Sequence, residues 1–177
     1  MTQTLLALFG IVLASVLTLH QSQSGIRTER QTEAAEIQAL AAEVAMERMA
    51  RLEAMPFDQA VVGARALSPN SLTSIVGGGF LPSGADVPGD DLDDADGESV
   101  EALYDLRESA SGSVGGVRLR TTVAVRYVSE ADGETVTSAR TRFKRATVTV
   151  APTAAGAGVA QPVVLTQLFS CGSHCAW

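Results

Sequence analysis

The sequence predicts an α+β fold in which one long N-terminal helix lies over a small antiparallel β-sheet. Two observations predict it. The opening stretch Met1 to Leu19 carries no charge, and no proline occurs before Pro56, so one helix can run through both. Further on, Val117 to Val128 alternates with period two and leads through an Asp132-Gly133 turn into a second alternating run. That is the pattern of a half-buried hairpin. The chain divides accordingly into a long helix over residues 1–55, an irregular Gly-, Pro- and Asp-rich region over 56–113, and a sheet with a C-terminal cysteine loop over 114–177.

The uncharged opening stretch reads MTQTLLALFGIVLASVLTL. As a helix it spans about 28 Å at about 1.5 Å per residue, close to the roughly 30 Å of bilayer hydrocarbon. It is compatible with a membrane span. A cleaved secretory signal is the less favoured reading, because the apolar run is long, no basic residue precedes it, and His20-Gln21-Ser22-Gln23 follows in place of a small-residue cleavage site. Arg27 and Arg30 come after the span, which by the positive-inside rule places the bulk of the chain in the cytoplasm. The cysteine pair and the acidic, strand-rich remainder point to the opposite side. A short basic leader ahead of Met1 is the expectation that reconciles the two.

From Ile26 to Met55 the chain is rich in Ala, Glu, Gln and Arg, all good helix formers. Ile37, Leu40, Ala41, Val44, Ala45, Met49 and Leu52 recur at helical spacing and call for a cover. Glu47–Arg51 supports the exposed side and Glu43–Glu47 opposes it slightly. Gly25, with Ser22 and Ser24, is the expected weak point, and Pro56 marks the end.

Prolines and glycines then punctuate residues 57–113 every few positions. Within them Val100 to Leu106 reads either as a strand or as a single helical turn. In the first clear strand Val117, Leu119, Thr121, Val123, Val125 and Tyr127 share a face. Its return, Thr135 to Val150, puts Lys144, Ala146, Val148 and Val150 on one side and Phe143, Arg145, Thr147 and Thr149 on the other. Val163 to Phe169 makes a third strand. Three antiparallel strands with one covered face suffice for a sheet, and the helix is the cover.

Composition narrows the function. The net charge is −7, the pI is near 4.8, and of thirteen cationic residues only Lys144 is a lysine. The densest basic stretch is Lys144-Arg145 beside Arg140 and Arg142, with no three cations in a row. Nucleic-acid binding, which depends on phosphate neutralisation, is therefore not expected. No catalytic motif occurs, and the only histidines are His20 and His174. The chain is read as a non-enzyme without a cofactor.

The run Asp86, Asp90, Asp91, Asp93, Asp94, Asp96, Glu98 invites a calcium reading. Aligning Gly97 to the glycine of a calcium-binding hand puts Leu92 at the first ligand position and Leu103 at the last, so the pattern fails at both ends. A solvated acidic loop is favoured, with a looser calcium loop on Asp94 and Asp96 as the weaker alternative and no other metal site. Cys171 and Cys175, in CGSHC, read first as a small disulfide loop, then as free thiols, and last as part of a metal site.

The order of parts resembles the type IV pilins and pseudopilins. Met55-Pro56-Phe57-Asp58 is similar to a stretch common in that family just past the helix. Asp90 to Gly97 resembles its Asp-rich loop, Phe143 to Val150 its penultimate strand, and Val164-Leu165-Thr166 its last. The resemblance implies a structural subunit of an extracellular, cell-surface filament. Such a subunit is made as an inner-membrane precursor and handled by pilus or secretion-system assembly machinery. Its leader is removed and its new N-terminus, here Met1, is methylated. It then polymerises into a helical homo-oligomer through its apolar helix, here Leu5, Leu6, Ala7, Leu8, Phe9, Gly10, Ile11, Val12, Leu13, Ala14, Val16 and Leu17. Two residues depart from the family pattern: Leu5 stands where a glutamate is usual, and no proline lies near Ser22. The rival expectation is a single-pass, membrane-anchored envelope or secretion-system component that does not polymerise.

Overall fold

The computed structural model describes residues 2–62, 65–76, 79–80, 89–105, 116–153 and 161–177; side chains are described from Phe9 onward, other than those of residues 19, 26 and 76. Helix α1 runs over Thr2–Glu53. It passes through Gly25 unbroken, contrary to the expected weak point. A single glycine costs about 1 kcal/mol against alanine, too little to interrupt a long cooperative helix. The nearby hydroxyls do not compete with the helix either. Those of Ser15, Thr18, Ser22, Thr28 and Thr32 each donate to the carbonyl four residues back, at 2.8–3.0 Å. At the other end the amides of Ala54 and Met55 bond to Arg51 O and Leu52 O, both at 3.2 Å, and tighten the last turn before Pro56.

The sheet has four strands rather than three, in the order β3-β4-β5-β6, all antiparallel. They are β3 (Ser99–Asp105), β4 (Gly116–Tyr127), β5 (Phe143–Pro152) and β6 (Val163–Ser170). A separate two-residue ribbon pairs β1 (Ile75–Val76) with β2 (Gly79–Phe80). The ambiguous segment after Ser99 is thus an edge strand. Its Val100 and Leu103 face solvent, so pairing with β4 makes it a strand where its own pattern does not. Arg120 reinforces that pairing by bridging to the facing Glu101.

The hairpin differs from its expected form. The returning strand begins at Phe143, not Thr135, and between the strands only Val136 bridges back, to Val128. Asp132 shapes the turn itself. Its carboxylate accepts from Glu134 N (2.9 Å), Thr135 N (3.0 Å) and the Thr135 hydroxyl (2.5 Å), and Gly133 turns the chain at φ 67°. These are the bonds of an Asx-type turn.

Where α1 crosses the sheet, Ile37, Ala41, Val44, Ala45, Met49 and Leu52 are buried against Val117, Leu119, Val123, Val125, Ala146, Val148 and Val150. The helix lies on β4, β5 and β6. At about 1.5–3 kcal/mol for each fully buried large apolar side chain, this layer fixes the C-terminal half of the helix to the sheet. Residues 9–36 make no comparable contact, and all of those described but Ala34 are exposed. Among the described residues no helix is long and apolar enough to cross a membrane; the side chains of residues 1–8, part of the apolar opening stretch, lie outside that description.

Candidate functional site

Polar residues gather where the helix ends. Pro56 stops α1, and Phe57-Asp58 turn beneath it into a short 3-10 turn, Gln59–Val61, which Asp58 caps by accepting from Ala60 N at 3.1 Å. The same carboxylate accepts from Thr73 N (3.0 Å), the Thr73 hydroxyl (3.2 Å) and the Tyr127 hydroxyl (3.1 Å). From the other side comes the 3-10 turn Asp93–Ala95. Leu92 N fastens it to Pro56 O at 3.0 Å, and Asp91 braces it by accepting from Asp93 N (2.8 Å) and Asp94 N (3.3 Å).

Lys144 reaches into this space from the start of β5, on the inward face it shares with Ala146, Val148 and Val150. Its Nζ donates to Phe57 O at 2.6 Å, to Asp58 Oδ2 at 2.9 Å and to Asp93 Oδ1. The three donors of the ammonium are thereby all used. The nitrogen also lies 4.3 Å from the ring centre of Phe57, 5.0 Å from that of Tyr127 and 5.3 Å from that of Phe80, within cation–π range. Lys144, Asp58 and Asp91 are 0% exposed and Asp93 is 4% exposed.

The carboxyls around this one cation are driven apart. Burial pushes Asp93 up to about 8; Lys144 opposes the rise, and the charges of Asp58 and Asp91 add to it. Burial also works to raise Asp58, but the charge and hydrogen bond of Lys144, with the amides of Thr73 and Ala60, outweigh it and hold this carboxyl below its usual range. Asp91 is raised, chiefly by burial against the pull of the Asp93 amide. Tyr127 is pushed well above its ordinary value by burial and then by the Asp58 charge, so its phenol keeps its proton. Two buried oxygens, Asp91 Oδ2 and Asp93 Oδ2, have no hydrogen-bond partner.

The acidic run is therefore not a solvated loop throughout. Asp91 and Asp93 face inward on either side of the fully buried Leu92, because Lys144 supplies the charge that lets a carboxylate leave water. Asp94 and Asp96 do not converge as a calcium loop would require. Asp94 accepts from Gly89 N (2.8 Å) and Asp90 N (3.2 Å), whereas Asp96 accepts from Val125 N (2.9 Å) and pairs with Arg126. The trio that does converge is Asp58, Asp91 and Asp93, each with an oxygen within 4.8 Å of the others, and the Lys144 ammonium stands among them as the internal counter-ion.

Sequence reading missed this cluster. It grouped Lys144 with Arg145, Arg140 and Arg142 as the densest basic stretch, and drew nothing from the face that period two has it share with Ala146, Val148 and Val150. Cys171 and Cys175 are joined as a disulfide, Cα–Cα 5.7 Å. The small ring packs with Phe57, Val61, Ala66, Leu72 and Tyr127 beside the lysine. Of the residues expected in polymerisation, Phe9, Ile11, Val12, Leu13, Val16 and Leu17 are exposed on α1. Met1 and the side chains of Leu5, Leu6, Ala7 and Leu8 lie outside the described residues.

Lys144 is fully buried, and the groups it touches are those of the cluster itself. No family model matches the sequence, and neither a curated protein nor a solved structure matches it.

Proposed function

We propose that this chain is a structural subunit of a type IV pilus-like filament. Its N-terminal helix packs against copies of itself, and its sheet forms the outer surface. One observation carries the reading: Phe9, Ile11, Val12, Leu13, Val16 and Leu17 are 51–67% exposed on a helix whose other half is built into a folded domain. They lie on more than one side of the helix, so a single flat partner leaves some of them wet. Burial on several sides calls for several neighbouring helices, which a helical stack of identical chains provides. Two features support close packing in an apolar setting. The helix hydroxyls are satisfied within the helix, and nothing lies within 4 Å of the Cβ position of Gly10, which leaves room for a neighbour.

Shearing cells that express the chain and imaging the supernatant tests the reading. The expected result is thin filaments composed of this chain, lost on Val16→Asp. Retention of the chain in the membrane fraction, with no filaments in the sheared material, would sink the proposal and favour the anchored, non-polymerising component.

A further inference from the structure

We infer that Lys144 and Asp93 become joined by an intramolecular amide bond, with Asp58 as the carboxylate that moves the proton. The inference does not rest on the filament reading. The reacting groups are already in contact: Lys144 Nζ touches Asp93 Oδ1, and Asp58 Oδ2 lies 2.9 Å from the same nitrogen. Such enforced proximity is worth effective concentrations on the order of 10⁵–10⁸ M.

The surroundings favour the neutral reactants over the ion pair. The nitrogen lies against the Phe57, Tyr127 and Phe80 rings, and Lys144 and Asp93 are both shut off from water, a setting that disfavours separated charge. Burial raises the Asp93 carboxyl and so readies it to take a proton from the ammonium, while Asp58, held low, remains a base. Two carboxyls pushed apart in this way divide naturally into acid and base.

The step balances without an oxidant, reductant or further reactant. The Lys144 ammonium passes one proton to the Asp93 carboxylate, leaving an amine facing a carboxylic acid. The nitrogen lone pair attacks Asp93 Cγ and forms the C–N bond. Asp58 takes a proton from the attacking nitrogen and delivers it to the departing Asp93 hydroxyl. The C–O bond breaks, one water leaves, and Asp58 returns to the carboxylate. Asp93 Oδ2, buried and without a partner, is the oxygen placed to leave. The product is one neutral amide in place of a buried ion pair, and it ties β5 to the Asp91–Asp96 turn.

Mass spectrometry of the purified full chain decides the matter. Once the two hydrogens of the disulfide are allowed for, the intact chain is expected to be lighter by one water than its residues sum to. Trypsin is expected to yield a branched product, with Phe143–Arg145 attached through Lys144 to Ala66–Arg107. Asp93→Asn is expected to give the same linked molecule by loss of ammonia instead. Asp58→Asn, checked by circular dichroism to be folded, is expected to stay largely unlinked. A wild-type chain of full mass, with a free Phe143–Lys144 peptide after digestion, overturns the inference. An Asp58→Asn chain that links as completely as wild type overturns the role given to Asp58.

Discussion

The Tyr127 hydroxyl lies 3.1 Å from Asp58 Oδ2 and so joins β4 to the turn just past the helix, across 69 positions of sequence. The same hydroxyl is 3.1 Å from Thr73 O, so one phenol closes the space between three segments. Tyr127→Phe keeps the ring that packs on Phe80 and removes only the hydroxyl. Stability is expected to drop by about 1–3 kcal/mol, the usual cost of leaving buried acceptors short of a donor. Urea denaturation monitored by circular dichroism measures it, and an unchanged midpoint would show that the phenol is not a needed donor.

Lys144→Met tests the buried cation. Removing one partner of a buried pair leaves uncompensated charge, at a cost of roughly 3–5 kcal/mol. The pH dependence has a definite sign. Asp93 already sits near 8 with the ammonium beside it, and without that ammonium it rises further. A folded-state value above the unfolded one, about 3.9, gives stability that is complete at low pH and is lost as pH rises through the folded value. The variant is therefore expected to be more stable at pH 5 than at pH 8, as read from denaturant midpoints. The opposite slope would count against a buried, protonated Asp93.

The two halves of α1 are expected to respond oppositely to the same kind of truncation. Leu52, 0% exposed against the sheet, is a cavity site, and Leu52→Ala is expected to cost about 2–5 kcal/mol. Leu13, 51% exposed, is expected to leave the isolated chain within about 0.5 kcal/mol of wild type when replaced by alanine and, on the filament proposal, to weaken assembly instead. Thermal denaturation of the monomer and sedimentation of sheared filaments separate the two effects.

Asp132 offers a readout remote from the core. Its hydrogen bonds to the Thr135 hydroxyl and to the Glu134 and Thr135 amides lower its carboxyl to about 2. A lowered folded value contributes stability that is present above the usual carboxylate range and lost as pH falls through the folded value. Carboxyl NMR is expected to find its midpoint near 2 in wild type and nearer the ordinary value in Thr135→Val. An unshifted midpoint in wild type would mean that the turn forms without the carboxylate.

How far the molecule was legible in its sequence follows from how local each cause is. The helix needed only composition and spacing, and Ile37, Ala41, Val44, Ala45, Met49 and Leu52 all face the sheet as their period requires. Strands β4, β5 and β6 showed in alternation. Strand β3 did not, because Val100 and Leu103 are both exposed at an edge, on opposite faces of the strand, and β4 supplies the order. The Lys144 cluster was illegible for a related reason. A lysine, a carboxylate after a proline and one aspartate among many become a unit only when three distant turns meet. The one local clue was a lone lysine on the inward face of an apolar strand.

That same meeting sets a timetable. Lys144 finds Asp58 across 86 positions and Asp93 across 51, so the cluster waits for β5 to be made. At about 5–20 residues per second, roughly 4 to 17 s separate the synthesis of Asp58 from that of Lys144. During that interval the inner face of α1 has no sheet to lie on, and the strands that will cover it pair at long range, which is slow. Within this chain the helix is made before the sheet that covers it. Until those strands are made, the inward residues from Ile37 to Leu52 stand without their cover.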